Sequence, residues 1–195
     1  GYPVEGFLEY LITIANSNFE EWRLQNMNAN IYDFKLSFDK MTLDGALFDL
    51  AKVKNICKER LAHLNKDDFT ALAYDWACKY NEELKGVIDR DPDYFKSIIN
   101  IEREKENPRK DYEKFSDILP IINFMYDDYY EQAINEDLPW NEAASKETIK
   151  AVLEDYKNNM NLDLTEEEWF EKLKELAVRH NYCPNVKEYK KNKEA

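Results

Sequence analysis

The chain has 195 residues, a formal net charge of −13, and 44% hydrophobic and 14% aromatic residues. A chain of this size can bury a core in one large domain or two small ones. No apolar run approaches the roughly 18 residues of a membrane span, and the first residues lack the basic and apolar regions of a signal peptide. We therefore expect a globular cytoplasmic protein without a membrane partner. Its net charge argues on its face against a polyanionic partner, although the distribution of Lys and Arg matters more than the sum.

The apolar pattern predicts an all-α fold, because nearly every punctuated segment has a helical period and glycine occurs only four times. We expect a helical array of about 8–10 short helices. A first helix is predicted over residues 4–15. Its inward face is predicted to contain Phe7, Leu8, Leu11 and Ile12. Polar residues alternate with Phe34, Leu36 and Phe38, which allows one short extended segment near 34–38.

The segment from Met41 to Leu61 predicts a turn followed by an amphipathic helix. Gly45 supplies the turn, Phe48 lies just before the helix, and Asp49 is a suitable N-cap. The predicted apolar face consists of Leu50, Val53, Ile56, Cys57 and Leu61. The outward side is predicted to carry four cations, Lys52, Lys54, Lys58 and Arg60. A strongly acidic chain is thus predicted to have one basic helix edge.

Helix start signals are clear in the rest of the chain. Asn65 precedes an acidic first turn, Asp91 precedes Pro92, and Thr165 with Glu168 has the spacing of a capping box. Near Leu64 a shorter first unit gives way to a longer helical array, so we predict two parts, 1–64 and 65–195. The acidic stretch 135–141 is predicted to be a loop. Most aromatic rings are expected in the core; those expected to be exposed are Tyr112, Phe115, Tyr126, Tyr129 and Tyr130.

The sequence offers no self-sufficient active site. Cys57, Cys78 and Cys183 are widely separated, so they fit neither a disulfide framework nor a thiolate zinc site. His63 and His180 are too isolated for a metal pair. No glycine-rich loop that could hold a phosphate group is present. We therefore predict no catalytic residue, no metal and no cofactor site in this chain.

Three segments carry a resemblance when they are taken in order. Residues 1–11 read GYPVEGFLEYL, residues 45–53 read GALFDLAKV, and residues 107–115 read NPRKDYEKF. They resemble the C-terminal, tRNA-binding half of bacterial-type glutamyl-tRNA synthetases, which are class I enzymes. The first is similar to the helix after the catalytic KMSKS loop, and the second to the family's A-x-FD-x-x-KL stretch. The chain departs from the family at residues 55–57, where Trp-Leu-Asn is usual.

The resemblance implies that the chain is a fragment. Residues 1–64 would be a stem-contact region, and residues 65–195 the first part of an anticodon-binding helical subdomain. The catalytic core, which uses ATP and Mg²⁺, would lie before Gly1, and a last helical module after Ala195. The implied partner is tRNA specific for glutamate, with glutamine tRNA left open, and we expect a monomer.

The same resemblance implies candidate contacts with tRNA. Lys52, Lys54, Lys58 and Arg60 would meet backbone phosphates, which position the RNA without reading its sequence. Arg109 matches the family's anticodon-reading arginine by position, and a guanidinium can stack on an unstacked base. An ion pair of Arg109 with Asp111 or Glu113 is equally open. Lys110 and Arg103 would be nearby phosphate partners, although three glutamates compete for them, Glu102, Glu104 and Glu106.

A second hypothesis comes from a different class of protein. The net charge and the aromatic content also suit an acidic all-α protein–protein interaction module with no role in RNA binding.

Overall fold

The computed structural model describes residues 1–41, 45–136, 144–161, 163–185 and 187–188. Within these ranges the chain forms ten α-helices and a few short 3₁₀ turns, with no strand. The prediction of an all-α array is therefore confirmed. The chain divides into two compact units, Gly1–Asn135 and Glu136–Ala195. The predicted boundary near Leu64 falls within the first unit. The assignment of residues 1–64 and 65–195 to two functional parts stays a prediction.

The first unit contains eight of these helices, and the second contains two. In the first unit they are α1 Val4–Ala15, α2 Phe19–Gln25, α3 Leu50–His63, α4 Lys66–Tyr80, α5 Glu82–Arg90, α6 Pro92–Ile99, α7 Ile118–Ile122 and α8 Asp127–Ala133. In the second unit they are α9 Lys146–Asn159 and α10 Glu166–Arg179.

The predicted N-caps are confirmed. The side chain of Asp49 accepts a hydrogen bond from the main-chain N–H of Lys52 at the start of α3. Asn65 caps α4 and Asp91 caps α6 in the same way. Thr165 and Glu168 form the reciprocal capping box of α10. These short polar side chains satisfy N–H groups that have no partner within the helix, which fixes where each helix begins.

The buried face of α1 differs from the predicted one. Phe7 and Leu11 are 40% and 41% exposed, whereas Gly6, Glu9 and Tyr10 are buried. The reason is the close approach of α3: a Cβ atom on Gly6 would lie only 2.8 Å from Sγ of Cys57. Because Gly6 has no side chain, α1 turns its glycine face toward α3. Hydrophobic periodicity alone does not predict this orientation.

The predicted extended segment contains extended backbone at Phe34 and Ser37, but no strand. It lies between two 3₁₀ turns, Ile31–Asp33 and Phe38–Lys40. The ring of Phe34 packs edge-on against Phe19 of α2, with 4.9 Å between centroids. Of the three alternating apolar residues, only Phe34 packs against a helix; Leu36 and Phe38 are 59% and 91% exposed.

Three of the aromatic residues expected to be exposed are buried. Tyr112, Phe115 and Tyr126 are at most 7% exposed and belong to the main core of the first unit, while Tyr130 is 53% exposed as predicted. The segment that carries them closes the core formed by α4, α5 and α6. The ring of Tyr112 lies 5.4 Å from that of Phe69 in α4. Burial raises the pKa of Tyr112 to about 12.

In the second unit, α9 and α10 are joined by a cluster of charges. The carboxylate of Asp155 accepts hydrogen bonds from Nε and Nη2 of Arg179, at 3.0 and 2.9 Å, and its Oδ2 lies 2.9 Å from Nε2 of His180. The Arg179 hydrogen bonds hold the pKa of Asp155 well below its usual range. The loop predicted at 135–141 lies largely outside the described residues.

Candidate nucleic-acid interface

The start of the basic helix is fixed by a buried tyrosine of α1. The main-chain N–H of Asp49 donates a hydrogen bond of 2.7 Å to the hydroxyl of Tyr10, which is fully buried. The ring of Phe48 meets the ring of Tyr10 edge to face, with 5.5 Å between centroids. The Phe48–Asp49 pair that carries part of the resemblance therefore forms one of the contacts that hold the start of α3 on α1.

A buried charge cluster lies beneath the basic helix. Glu9 of α1 is 3% exposed, and Nη2 of Arg23 donates to its carboxylate at 2.6 Å. Arg60 of α3 lies against the same carboxylate at 3.1 Å, and it also donates to Glu5 and to the main-chain oxygen of Met27. Burial raises the pKa of Glu9, and the charges of Arg60 and Arg23 oppose that rise.

Arg60 is predicted on the outer side of α3, but its side chain is only 14% exposed. Its guanidinium joins α3 to α1 and to the chain after α2. Removing one partner of a buried ion pair destabilises a protein by several kcal/mol. Arg60 therefore acts in the structure as a positioning residue that holds α3 in place.

The three lysines of α3 are half-buried, and each is paired with a carboxylate. The ammonium groups of Lys54 and Lys58 lie 3.4 and 3.6 Å from the two carboxylate oxygens of Glu113. Lys52 pairs instead with Glu20 of α2, at 2.6 Å. The structure thus brings the middle of α3 against the segment that carries the third resemblance.

Lys110 belongs to the same junction. Its ammonium group contacts the carboxylate of Glu59, which lies on α3 one residue after Lys58. Lys54, Lys58 and Lys110 therefore meet where α3 faces residues 109–114. We call these three side chains and their two carboxylate partners, Glu59 and Glu113, the lysine junction.

Arg109 is the most exposed of the candidate arginines. Its side chain is 64% exposed, and its Nε donates to Asp111 at 2.8 Å. The ion pair with Asp111 that the sequence left open is therefore present. Its main-chain N–H donates to the oxygen of Glu102, whose φ of 59° lies in the left-handed region. Arg109 also lines a small cavity of about 160 Å³ together with Phe124, which is 58% exposed.

Arg103 lies apart from the exposed cations. It is 6% exposed, and its guanidinium donates to the main-chain oxygens of Ile99, Leu61 and Leu64. Its charge also lies 4.1 Å from the centre of the Phe69 ring. Burial lowers its pKa. Arg103 joins the ends of α3 and α6, and its role as a phosphate partner stays a prediction that this geometry does not favour.

A cleft of about 590 Å³ lies beside the lysine junction. Its wall contains both acidic and basic side chains, and its apolar lining includes Phe19, Leu24, Met27, Ile56 and Pro108. Among the residues that the structure describes, no group of histidine, cysteine and carboxylate side chains is arranged to hold a metal ion. Cys57 is buried, and burial raises its pKa to about 11, so its thiol stays protonated at neutral pH.

Sequence reasoning missed the carboxylates of the junction. The sequence suggests Glu113 only as a partner of Arg109, and it does not single out Glu59. Glu59 and Lys110 are 51 positions apart in the chain. No helical or strand periodicity connects residues at that separation, so the pairs depend on the tertiary packing of α3 against residues 109–114.

Comparison with known proteins finds relatives whose alignments cover all or nearly all of the chain. The chain is 34% identical over 194 residues to the glutamate–tRNA ligase of Clostridium perfringens strain 13, covering 100% of the chain and 36% of that protein. It is 37% identical over 194 residues to that of Acetivibrio thermocellus, covering 98% of the chain and 34% of the relative. For the enzyme of Sorangium cellulosum, the identity is 32% over 197 residues, covering 100% of the chain and 34% of the relative.

No family model and no solved structure matches the chain. The relatives nevertheless share one class, the aminoacyl-tRNA synthetases, and the chain is homologous to part of each. Specifically, it is homologous to the glutamate–tRNA ligases, so the resemblance to their C-terminal region is confirmed. The chain spans about a third of the length of these relatives.

Within the described ranges, every helix is too short or too polar to cross a bilayer.

Proposed function

We propose that this chain is a tRNA-binding region that works in the cytoplasm within a glutamate–tRNA ligase. The observation that carries the proposal is the lysine junction, in a chain that is homologous to these ligases along its whole length. The region would hold tRNA so that its end reaches an active site elsewhere, where glutamate would be activated with ATP and Mg²⁺.

The charge of the chain limits the strength of the proposed contact. A net charge of −13 repels RNA over most of the surface, so we place the proposed phosphate contacts at the lysine junction, where three lysines lie together. Every lysine there also has a carboxylate partner, which RNA must displace. We therefore expect weak binding that depends strongly on salt.

Arg109 is the proposed contact with the anticodon. Its guanidinium is exposed, and the ring of Phe124 lines the same small cavity. An arginine can form paired hydrogen bonds and stack on a base, whereas lysine is a point charge. Because bases of a single-stranded loop can be unstacked and read on their edges, Arg109 with Phe124 offers a place for one such base.

The test of the proposal is a fluorescence anisotropy titration of the chain with a glutamate-specific tRNA transcript at several salt concentrations. Binding should weaken as the salt concentration rises. A plot of the logarithm of the association constant against the logarithm of the salt concentration should have a slope of about −0.7 to −0.9 per phosphate contacted. A transcript with a substituted anticodon is the control for base recognition. Arg109→Lys should reduce the preference between the two transcripts, while overall affinity changes little.

The interaction-module hypothesis predicts a different outcome. A module without an RNA role would show no saturable binding to either transcript at low salt. That result, obtained with folded protein, would contradict the proposed tRNA-binding role.

A further inference from the structure

One carboxylate lies between two lysines of α3. Oε2 of Glu113 is 3.4 Å from Nζ of Lys54, and Oε1 is 3.6 Å from Nζ of Lys58. Lys54 and Lys58 are four residues apart on one helix, so their side chains project from the same face. Each oxygen of a single planar anion is therefore matched by one ammonium group.

We infer that Lys54 and Lys58 form a phosphate site that Glu113 occupies until an RNA phosphate displaces it. The inference rests on the proposed tRNA-binding function, and it adds that Glu113 competes with the RNA phosphate for the two lysines. A phosphodiester, like a carboxylate, presents two charged oxygens from one centre, so it can accept from the same pair of ammonium groups. Glu113 thus takes the place of the ligand in the unbound protein.

The contacts of Glu113 are loose enough to be exchanged. Both distances exceed the roughly 2.7–2.9 Å of a charge-assisted hydrogen bond. The side chains of Lys54, Lys58 and Glu113 are 43%, 32% and 29% exposed. Ion pairs at such exposure contribute little to stability and are screened by salt. The pair of Arg23 with Glu9 is different, because it is 2.6 Å long and buried.

A built-in competitor also makes the site selective. A lone anion must displace Glu113 with no other contact, whereas a chain of phosphates can reach Lys110 as well. Lys110 has its own carboxylate partner, Glu59, in a closer contact than those of Glu113, so two carboxylates must be displaced together. A ligand with several regularly spaced phosphates gains most from this arrangement, and unrelated anions are disfavoured.

The test compares two substitutions that remove one negative charge each. Glu113→Gln keeps the size of the side chain and releases Lys54 and Lys58. Asp67→Asn is the matched control, because Asp67 pairs with Lys96 at 2.8 Å elsewhere in the first unit. Each variant is titrated with the glutamate-specific tRNA transcript and, separately, with inorganic polyphosphate, which carries phosphate without RNA structure.

Glu113→Gln should bind both probes about threefold more tightly than Asp67→Asn, a gain of the size that exposed ion pairs allow. Its salt slope should be steeper by about 0.7 to 0.9 for each lysine released. Adding Lys54→Ala and Lys58→Ala to Glu113→Gln should remove the gain.

Equal polyphosphate binding by Glu113→Gln and Asp67→Asn would overturn the assigned site, whatever the affinity of the wild-type chain for tRNA. A gain that persists after both lysines are removed would overturn it too. If Glu113→Gln strengthens polyphosphate binding but no variant binds tRNA, the phosphate site stands and the proposed function is contradicted.

Discussion

The main-chain N–H of Asp49 donates a hydrogen bond to the hydroxyl of Tyr10, with 2.7 Å between nitrogen and oxygen. This bond ties the first turn of α3 to α1, across 39 positions of the chain. The position of the lysine junction therefore depends on an uncharged tyrosine that lies outside the junction.

Tyr10→Phe should lower the free energy of unfolding by about 1–3 kcal/mol, because the Asp49 N–H loses its partner in a partly buried place. Urea denaturation followed by circular dichroism measures the change. Tyr32→Phe is the control, since Tyr32 is 83% exposed, and it should shift stability by no more than about 0.5 kcal/mol. Equal stability of Tyr10→Phe and the wild type would show that the hydroxyl is dispensable.

Gly6→Ala should destabilise the chain by about 1–3 kcal/mol, because overpacking forces α1 and α3 apart. The new Cβ would meet Cys57 at 2.8 Å from Sγ and 3.0 Å from Cα. Gly86→Ala in α5 has no atom within 4 Å of the new methyl group, so it should be neutral or stabilising by up to about 1 kcal/mol. A melting temperature that falls equally in both variants would contradict the close approach of the helices.

Local signals in the sequence were sufficient to predict most of the fold. Asp49, Asn65 and Asp91 begin their helices as predicted because a cap depends on only the next three residues. The buried face of α1 was not predictable in that way. It is decided by Gly6 and Cys57, which are 51 positions apart and contact each other only in the folded chain.

Arg103→Lys should cost about 2–4 kcal/mol of stability, because an ammonium group cannot replace a guanidinium that serves several carbonyl groups. Oxygens of Ile99, Leu61 and Leu64 would lose their donors. Arg90→Lys is a suitable control, since Arg90 is exposed and pairs with a single carboxylate, Asp128. Chemical denaturation of both variants should show the large loss only for Arg103.

Cys57 should be the last of the three thiols to react with a disulfide reagent at pH 8. Its pKa is raised to about 11 by burial, whereas Cys78 is exposed and Cys183 is half-buried. The folded chain should therefore show two fast thiols and the unfolded chain three. Cys57→Ala should leave the number of fast thiols unchanged, and Cys78→Ala should reduce it by one.

The same thiol adds a pH dependence to stability. Its pKa is 9.0 without the folded environment and about 11 within it, so the unfolded chain loses the proton first as the pH rises. The stabilisation is therefore complete below pH 9 and is lost between pH 9 and 11. The difference in unfolding free energy between wild type and Cys57→Ala should shrink over that range. A constant difference would contradict the raised pKa.

The candidate contacts were less predictable than the fold. The positions of Lys54 and Lys58 on the outer side of α3 follow from helical periodicity, and the structure leaves both half-buried beside Glu113. Arg60 has the same periodicity but is covered by α1, because Glu5 and Glu9 draw it inward. Whether a cation on a helix faces solvent is thus decided by acids on other segments, which a single sequence does not place.

The most direct test of tRNA binding through the lysine junction is the affinity of a triple variant. Lys54→Ala/Lys58→Ala/Lys110→Ala is compared with Lys85→Ala/Lys172→Ala/Lys174→Ala, which removes the same charge from lysines that pair with Asp89, Glu175 and Glu171. In anisotropy titrations with glutamate-specific tRNA, the junction variant should bind more weakly, with a salt slope shallower by about 0.7 to 0.9 for each phosphate that is no longer neutralised. Equal affinities and equal slopes in the two variants would contradict binding through the junction.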